Sequence, residues 1–363
     1  MNISLQKLQV QNAFYSPFLS KSSDSCVFSY SLIGFFVQRF GNSLFFSQSK
    51  NGFLKCENSR FRNFLKPVLN LDEATTDIIM KMGYYENCIG TNGGALSLGS
   101  GNQHNITYCS FINCRAVNGG GIYSLATSIY AAYSCFYLCS QGSTWPAYGA
   151  SIYSKGTGNQ IIDNIHSFMC PGTNESPWHS QIDLNSGKAH STNINASHCG
   201  AQYSAGISHH ESYTSTCSNI LSANNIAGNS VAFSYTSNQN NHRRIGFINN
   251  TLSKGHFYVY QITASFSECM FIHNTGIICF THSTVSSITF YDCLFDSSPS
   301  WGTGVSLTYN ISTSTNYRTM IPFSILNNER CKITLNEKCE PLTCQPNIIQ
   351  YKIHLLSLLF YLA

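Results

Sequence analysis

Charge is scarce in this chain. Asp, Glu, Lys and Arg make up 10% of its 363 residues, and the formal net charge is +4. The only basic cluster, His242-Arg243-Arg244, sits in a Gln/Asn-rich stretch. A nucleic-acid surface needs a basic stripe, so that class of partner is excluded and Arg243 and Arg244 read as a solvated turn. Long apolar runs are also lacking. Val27 to Phe46 is interrupted by Ser29, Ser31, Gln38, Arg39 and Asn42, which suits strands better than a membrane span. The run Ile353 to Ala363 is shorter than the roughly 20 residues that cross a bilayer. Met1 to Ser20 shows no basic start, long apolar run and small-residue cleavage site in sequence, so no signal peptide is visible. There is no C-x-x-C pair and no histidine at zinc spacing. No phosphate-cradling glycine loop occurs either. The expectation is no metal and no cofactor. No segment keeps a capped 3.6-residue period, so helix is not expected as the main element.

What is present is a repeat. Gly93-Gly94-Ala95-Leu96 returns as Gly120-Gly121-Ile122-Tyr123, and Phe111-Ile112-Asn113-Cys114 between them echoes Glu86-Asn87-Cys88. From Cys88 and Cys114 the Cys/Asn position continues at Cys139, Cys170 and Cys199. It goes on through Ala223 or Asn224 to Asn250, Asn274 and Ser297. A second ruler, the strand that follows, runs through Leu96, Ile122, Ile152, Ile182, Ile207, Phe233, Val259, Ile278 and Val305. Phe18-Leu19, Phe45-Phe46 and Val68-Leu69 extend it upstream. A period of roughly 25 residues, stretching to about 30 in the middle coils, is the mark of a solenoid. The segments are short, rich in Phe, Ile, Val and Tyr, and bounded by Gly/Asn/Ser turns, so each coil is read as three short strands. The fold predicted is all-β: a right-handed parallel β-helix over residues 1–310, in roughly a dozen coils stacked about 4.8 Å apart. Residues 311–363 are read as a Cys-containing cap or stalk with an apolar end. The competing leucine-rich repeat has a similar period, but its Leu/Asn signature does not recur.

Stacking assigns duties to residue types. Cys109, Cys135, Cys269 and Cys293, with Cys217 in a less regular coil, precede the Cys/Asn position by four or five residues, where other coils carry Ile165 and Ile194. Cys trading with Ile points to an inward, apolar site. The cysteines are therefore read as stacked free thiols; disulfides between adjacent rungs are the alternative, since rung spacing falls within bridge geometry. The three C-terminal cysteines, Cys331, Cys339 and Cys344, leave one odd, either paired elsewhere or free. Phe111, Phe168, Phe247 and Phe271 are assigned one coil position and a core stack. Trp145, Trp178 and Trp301 lie in loops, where packing over the solenoid is the default. Asn-x-Ser/Thr acceptors stand at Asn2, Asn105, Asn174, Asn195, Asn249 and Asn310, permitting glycosylation.

A catalytic constellation does not emerge. Sugar-cleaving β-helices need paired carboxylates. Asp163 and Asp183 are separated by less than the local period, so they do not stack. Asp292 and Asp296 edge a turn, and Glu211 and Glu268 are isolated. His209 and His210 are adjacent and face opposite sides of a strand; His166, His179 and His198 are scattered. Cys199 beside His198 is explained by its ladder position. No catalytic residue is assigned.

The repeat-defining residues (Gly93, Gly94, Phe111, Asn113, Cys114, Gly120, Gly121, Cys139, Cys170, Cys199, Phe271 and Asn274) resemble the paired F-x-x-N and G-G-A-I elements of polymorphic outer-membrane proteins. Cys in place of Asn resembles the β-helix surface proteins of parasitic protists. This resemblance covers roughly residues 84–300. It implies a secreted or surface-anchored protein, adhesin-like, with a host or matrix glycan or protein as ligand. It carries over no catalytic residue, and the chain departs from it in showing neither a signal peptide nor a full membrane span. Membrane association is then expected only through a missing or truncated segment. A pectin-lyase-like carbohydrate-active enzyme, and an incomplete gene product without independent function, are the alternatives.

Overall fold

The computed structural model describes residues 50–71, 75–142, 147–171, 180–201, 204–227, 230–234, 239–259, 263–281, 286–296 and 305–311, and short strands before residue 50. No helix occurs among them. Every strand pairing is parallel, and each coil lies on the next in register, as Leu96 lies on Ile122. The chain is a β-solenoid with two long sheets. Sheet A joins strands such as Gln103–Thr107, Ser110–Ile112, Ser128–Tyr137 and Asn159–Phe168. Sheet B joins Leu96–Leu98, Ile122–Ser124, Ile152–Lys155 and Ser180–Asn185. A third short strand closes some coils, as where Arg115–Ala116 pairs with Ser140–Gln141. The C-terminal unit lies outside the described residues beyond Ile311, as do Cys331, Cys339 and Cys344.

Each coil is shaped by two left-handed residues five apart. The first kinks sheet A: Met82, Tyr108, Tyr133, Asn164, Asn193 and Asn219 all have φ between 52 and 58°. The second ends the strand: Asn87, Asn113, Leu138, His198, Asn224 and Asn249, with φ between 49 and 56°. Asn tolerates this backbone better than other L-residues, and where it recurs it gains a partner. Asn113 Nδ2 donates to Asn87 Oδ1 at 2.8 Å, and Asn249 Nδ2 to Asn224 Oδ1 at 2.6 Å. The glycines make the next turn. Gly93, Gly119 and Gly149 have φ near +62°. Gly94 and Gly120 donate their N–H groups to the next coil at 3.1 and 3.0 Å, so close that a side chain has no room.

Inside, like sits on like. Phe61, Tyr85, Phe111 and Phe136 stack at 5.2, 4.9 and 4.7 Å between ring centroids. Phe247, Phe271 and Phe295 resume the column at 5.0 and 4.8 Å. Phe168 is not in it. The register sets Phe136 opposite Ser167 and Phe168 opposite Tyr137, on the outer face. Phe168 is two residues from Cys170, whereas Phe111 is three from Cys114, and a shift of one reverses the face. The column passes instead through Ser167, Ala196 and Ser222. The space is filled by polar groups: Ser151 and Ser167 hydroxyls at 2.6 Å, with Gln181 Nε2 donating to the carbonyls of Cys170 and Gly200.

The Cys/Asn column is a ladder of buried free thiols, Cys88, Cys114, Cys139, Cys170 and Cys199. Its thiols donate across a rung, Cys139 to Phe111 O at 3.4 Å and Cys199 to Ser167 O at 3.5 Å. The next member is Asn225, not Ala223 or Asn224: Cys199 N donates to Asn225 Oδ1 at 2.7 Å. Asn225 N then donates to Asn250 Oδ1, and Asn250 N to Asn274 Oδ1, both at 2.9 Å. Replacing Asn250 by Leu leaves the Asn225 N–H unpaired in the core and removes the Nδ2 bond to the Ser222 carbonyl. We expect a loss of about 2–3 kcal/mol, read as a lower urea midpoint.

Two other assignments shift. The inward column containing Cys109 continues as Ser134, Ile165, Ile194, Ile220, Ile245, Cys269 and Cys293, all buried. Cys135 stands one residue further on, opposite Ser110 and His166. Cys217 belongs to another inward column, between Ser191 and His242. The second ruler holds from Leu96 to Ile207, then slips: Ile207 faces Ala232, Ala232 faces Phe257, and Phe257 faces Cys279. Val305 pairs in sheet A.

Candidate functional site

On a parallel sheet, every second residue of each strand projects from the outer face. Along sheet B the outward register runs Ser97, Tyr123, Tyr153, Asp183 and Ser208. Tyr123 and Tyr153 stack at 5.4 Å, and Tyr148, from the turn before the Ile152 strand, lies against Tyr153 at 5.3 Å. Two residues further along the same face, Asn185 Nδ2 and His210 Nδ1 are 3.2 Å apart. Glu211 follows in a left-handed turn. Tyr153 and Asp183 are buried, Tyr123, Tyr148 and His210 are half-buried, and Glu211 and Tyr213 are exposed.

Burial dominates the electrostatics here. It pushes the Asp183 carboxyl up to about 7, partly offset by the nearby Ser180 hydroxyl. Burial raises Tyr153 and Tyr148 too, and the charges of Asp183 and Glu211 push both the same way. Burial holds His210 down, against the pull of Glu211. One oxygen of Asp183 has no hydrogen-bond partner, and neither has the Ser208 hydroxyl beside it. The accessible part of the patch is therefore the half-buried Tyr123, Tyr148 and His210 with exposed Glu211; Tyr153, Asp183 and Ser208 are buried beneath it.

A pH test follows. Folded Asp183 keeps its proton up to about 7, while unfolded Asp releases it near 4. The folded chain binds more protons across that window, so Asp183 contributes stability below about pH 4 that is lost as pH rises to about 7. Asp183→Asn is expected to gain on the wild type over this range, by at most about 4 kcal/mol, in urea midpoints measured at each pH.

The other carboxylates do not converge on this patch. Asp163 is on sheet A and accepts from Asn193 Nδ2 at 2.9 Å, so it and Asp183 are on different sheets. Glu268 is not isolated: it takes Arg243 at 2.5 Å and Arg244 at 2.7 Å. Burial acts to raise this carboxyl, but the two guanidinium groups hold it below the usual range. Arg243 and Arg244 are thus an ion-paired corner, not a free turn. Asp296 sits 3.2 Å from His273, and Asp292 occupies a kink position. Glu211, isolated in sequence, shares the tyrosines of Asp183. His209 and His210 do face opposite ways: His209 is buried inside, 2.8 Å from Ser191 Oγ and 2.5 Å from Ser215 Oγ, and burial lowers it to about 3. His198 is exposed beside buried Cys199.

Among the described residues no group of three His, Cys, Asp or Glu is arranged to hold a metal ion. No helix among them is long and apolar enough to cross a membrane. Of the glycan acceptors, Asn249 is exposed and Asn105 and Asn195 are half-buried. Asn174 lies outside the described residues, as do the side chains of Asn2 and Asn310. Trp145, Trp178, Trp301 and His179 also lie outside. Sequence reading misses the tyrosines, although Tyr123 and Tyr153 each follow a ruler residue, Ile122 and Ile152, and so share its register. No protein-family model, no curated protein and no solved structure matches the chain.

Proposed function

We propose that this chain is a non-catalytic, secreted or surface-displayed β-solenoid scaffold that binds a glycan or protein ligand on the outer face of sheet B. The observation carrying this reading is the run Tyr123, Tyr153 and Tyr148, where packed rings, two of them half-buried, share one face with half-buried His210 and exposed Glu211. Aromatic faces with a few fixed polar groups are suited to ligand capture. The adhesin-like role and the kinship with polymorphic outer-membrane-type repeats rest on the repeat resemblance. The extracellular address rests on the same resemblance.

The second reading is a carbohydrate-active enzyme, with Asp183, whose carboxyl burial raises to about 7, as its acid and Glu211, at the end of the paired sheet B strand, as the second carboxylate. Incubation with a polysaccharide panel separates the two. The scaffold reading expects no new reducing ends. Depolymerisation that disappears in Asp183→Asn would establish the hydrolase.

A further inference from the structure

We propose that His209 and His242, buried inside the solenoid on its two sheets, form an acid-labile joint: when they take up protons, the coils that hold them part while the earlier coils stay folded. The joint is a cluster of imidazole, thiol and hydroxyl groups with no carboxylate in it. His209 projects inward from strand Ser204–His210 of sheet B, and His242 from strand Gln239–Ile248 of sheet A. They are 1% and 7% exposed. Cys217 pairs in register with His242, and its Sγ is 4.0 Å from both ring nitrogens of His209.

The surroundings suit neutral rings. His209 is held by two hydroxyls, Ser191 Oγ at 2.8 Å from Nε2 and Ser215 Oγ at 2.5 Å from Nδ1. A neutral imidazole donates to one and accepts from the other. His242 is stacked on Phe266 at 4.8 Å, and its Nδ1 is buried without a partner. Among the described residues no carboxylate faces either ring. Strand Ser180–Asn185 carries Asp183 on the outer face, while Ser230–Ser234 and Thr263–Ser267 have no titratable residue. Lys188, His190 and Arg243 project outward from sheet A, Arg244 is at the kink, and both arginines are tied to Glu268. His210 and Glu211, next along the chain from His209, are on the outer side. Cys217 remains, and burial keeps it a neutral thiol, pushed up to about 12.

A proton on either ring is therefore a buried charge without a counter-charge. Burial holds His209 down to about 3, with a further push from His242 and His190, and holds His242 down to about 4. A ring released from the core titrates near about 6.5. Below that pH the opened chain binds more protons than the closed one. The stability that rests on neutral rings is thus present above about 6.5 and lost as pH falls toward the folded values. Each coil touches only its neighbours, so the opening is confined to this part of the rod. His104 bonds Ser124 Oγ at 2.8 Å in an earlier coil and His166 is on the outer face of sheet A, so neither belongs to this joint. His210 and Glu211 share the moving strand or its turn, so opening also dismantles that side of the sheet B face. That consequence rests on the ligand-binding reading; the joint itself does not.

The test is thiol labelling of the full chain by dithiodipyridine, which reacts in acid, at about pH 7 and about pH 4.5. Peptide mapping locates each label, and each rate is divided by that of the urea-unfolded chain at the same pH. Cys217 reacts only when the joint opens. Over this window each histidine favours opening on the order of a hundredfold, and Asp183, which gains stability as pH falls, offsets about one of these factors. Protection of Cys217 is expected to fall in acid on the order of tenfold or more, while Cys88 and Cys139 keep theirs. His242→Phe, which extends the stack of Phe266 on Phe290, is expected to abolish the fall. Unchanged protection of Cys217 would overturn the proposal. So would equal loss at Cys88 and Cys139, or a full acid response in His242→Phe. No ligand enters this readout, so its failure is distinct from failure of the binding reading.

Discussion

Phe111→Ala is expected to destabilise the solenoid by about 3–5 kcal/mol. Phe111 is fully buried, with rings stacked on both sides at 4.9 and 4.7 Å. Its removal deletes transfer energy and both stacking contacts. The cavity cannot close by sliding a rung, because Ser110, Phe111 and Ile112 are fixed by backbone pairing to the coils above and below. In a solenoid each coil touches only its neighbours, so the damage is local and the halves on either side should partly uncouple. Urea unfolding then shows a lower midpoint and a shallower slope. Phe168→Ala is the comparison: this ring is on the outer face, and its loss should cost less than about 1.5 kcal/mol. Equal costs would contradict the outward placement of Phe168.

Gly120→Ala is expected to be at least as damaging, about 3 kcal/mol or more. A methyl there meets the carbonyl oxygen of Ala150 far inside contact distance, and that of Ser140 at 2.6 Å. Both are backbone atoms of the next coil, unable to rotate away, and Gly120 N must still donate to Gly149 O at 3.0 Å. Two coils would have to separate, breaking the ladder at this turn. Gly142→Ala is the contrast. Its nearest neighbour would be a Val117 methyl at 3.4 Å, an ordinary contact. Thermal melts of both variants should separate them clearly, with Gly142→Ala within about 0.5 kcal/mol of wild type.

Features of this fold differ widely in how far the sequence reveals them. The Gly-Gly-apolar unit and the Cys/Asn position are readable because a stacked fold repeats chemistry at each rung, so two independent rulers keep pace. Counting fails where a coil changes length by one between markers. Phe168 reads as a core ring because it is aromatic near a cysteine; its spacing of two rather than three to Cys170 already gives it the wrong parity. Asn225 escapes in the same way, one residue from Asn224. The kinks at Met82, Tyr108 and Tyr133 carry no residue signature, because stacking holds side chains in a left-handed backbone that they do not favour locally. The outer patch is least legible. Tyr148 reaches Tyr153 from a turn, and the charge of Glu211 acts on both tyrosines from another coil, relations that no motif announces. That Asp163 and Asp183 do not meet is readable, since their separation falls short of a full coil.

The measurement that bears most directly on function is binding of the full chain to combined glycan and protein arrays, with Tyr148→Ala alongside. This substitution removes a half-buried ring but keeps the backbone bonds to Gly119 and Asn118. A defined set of bound ligands is expected, with a loss on the order of tenfold in the variant, the cost of one stacking ring. Binding that is identical in the two proteins, or absent from both, would contradict the assignment of the sheet B face as the binding surface.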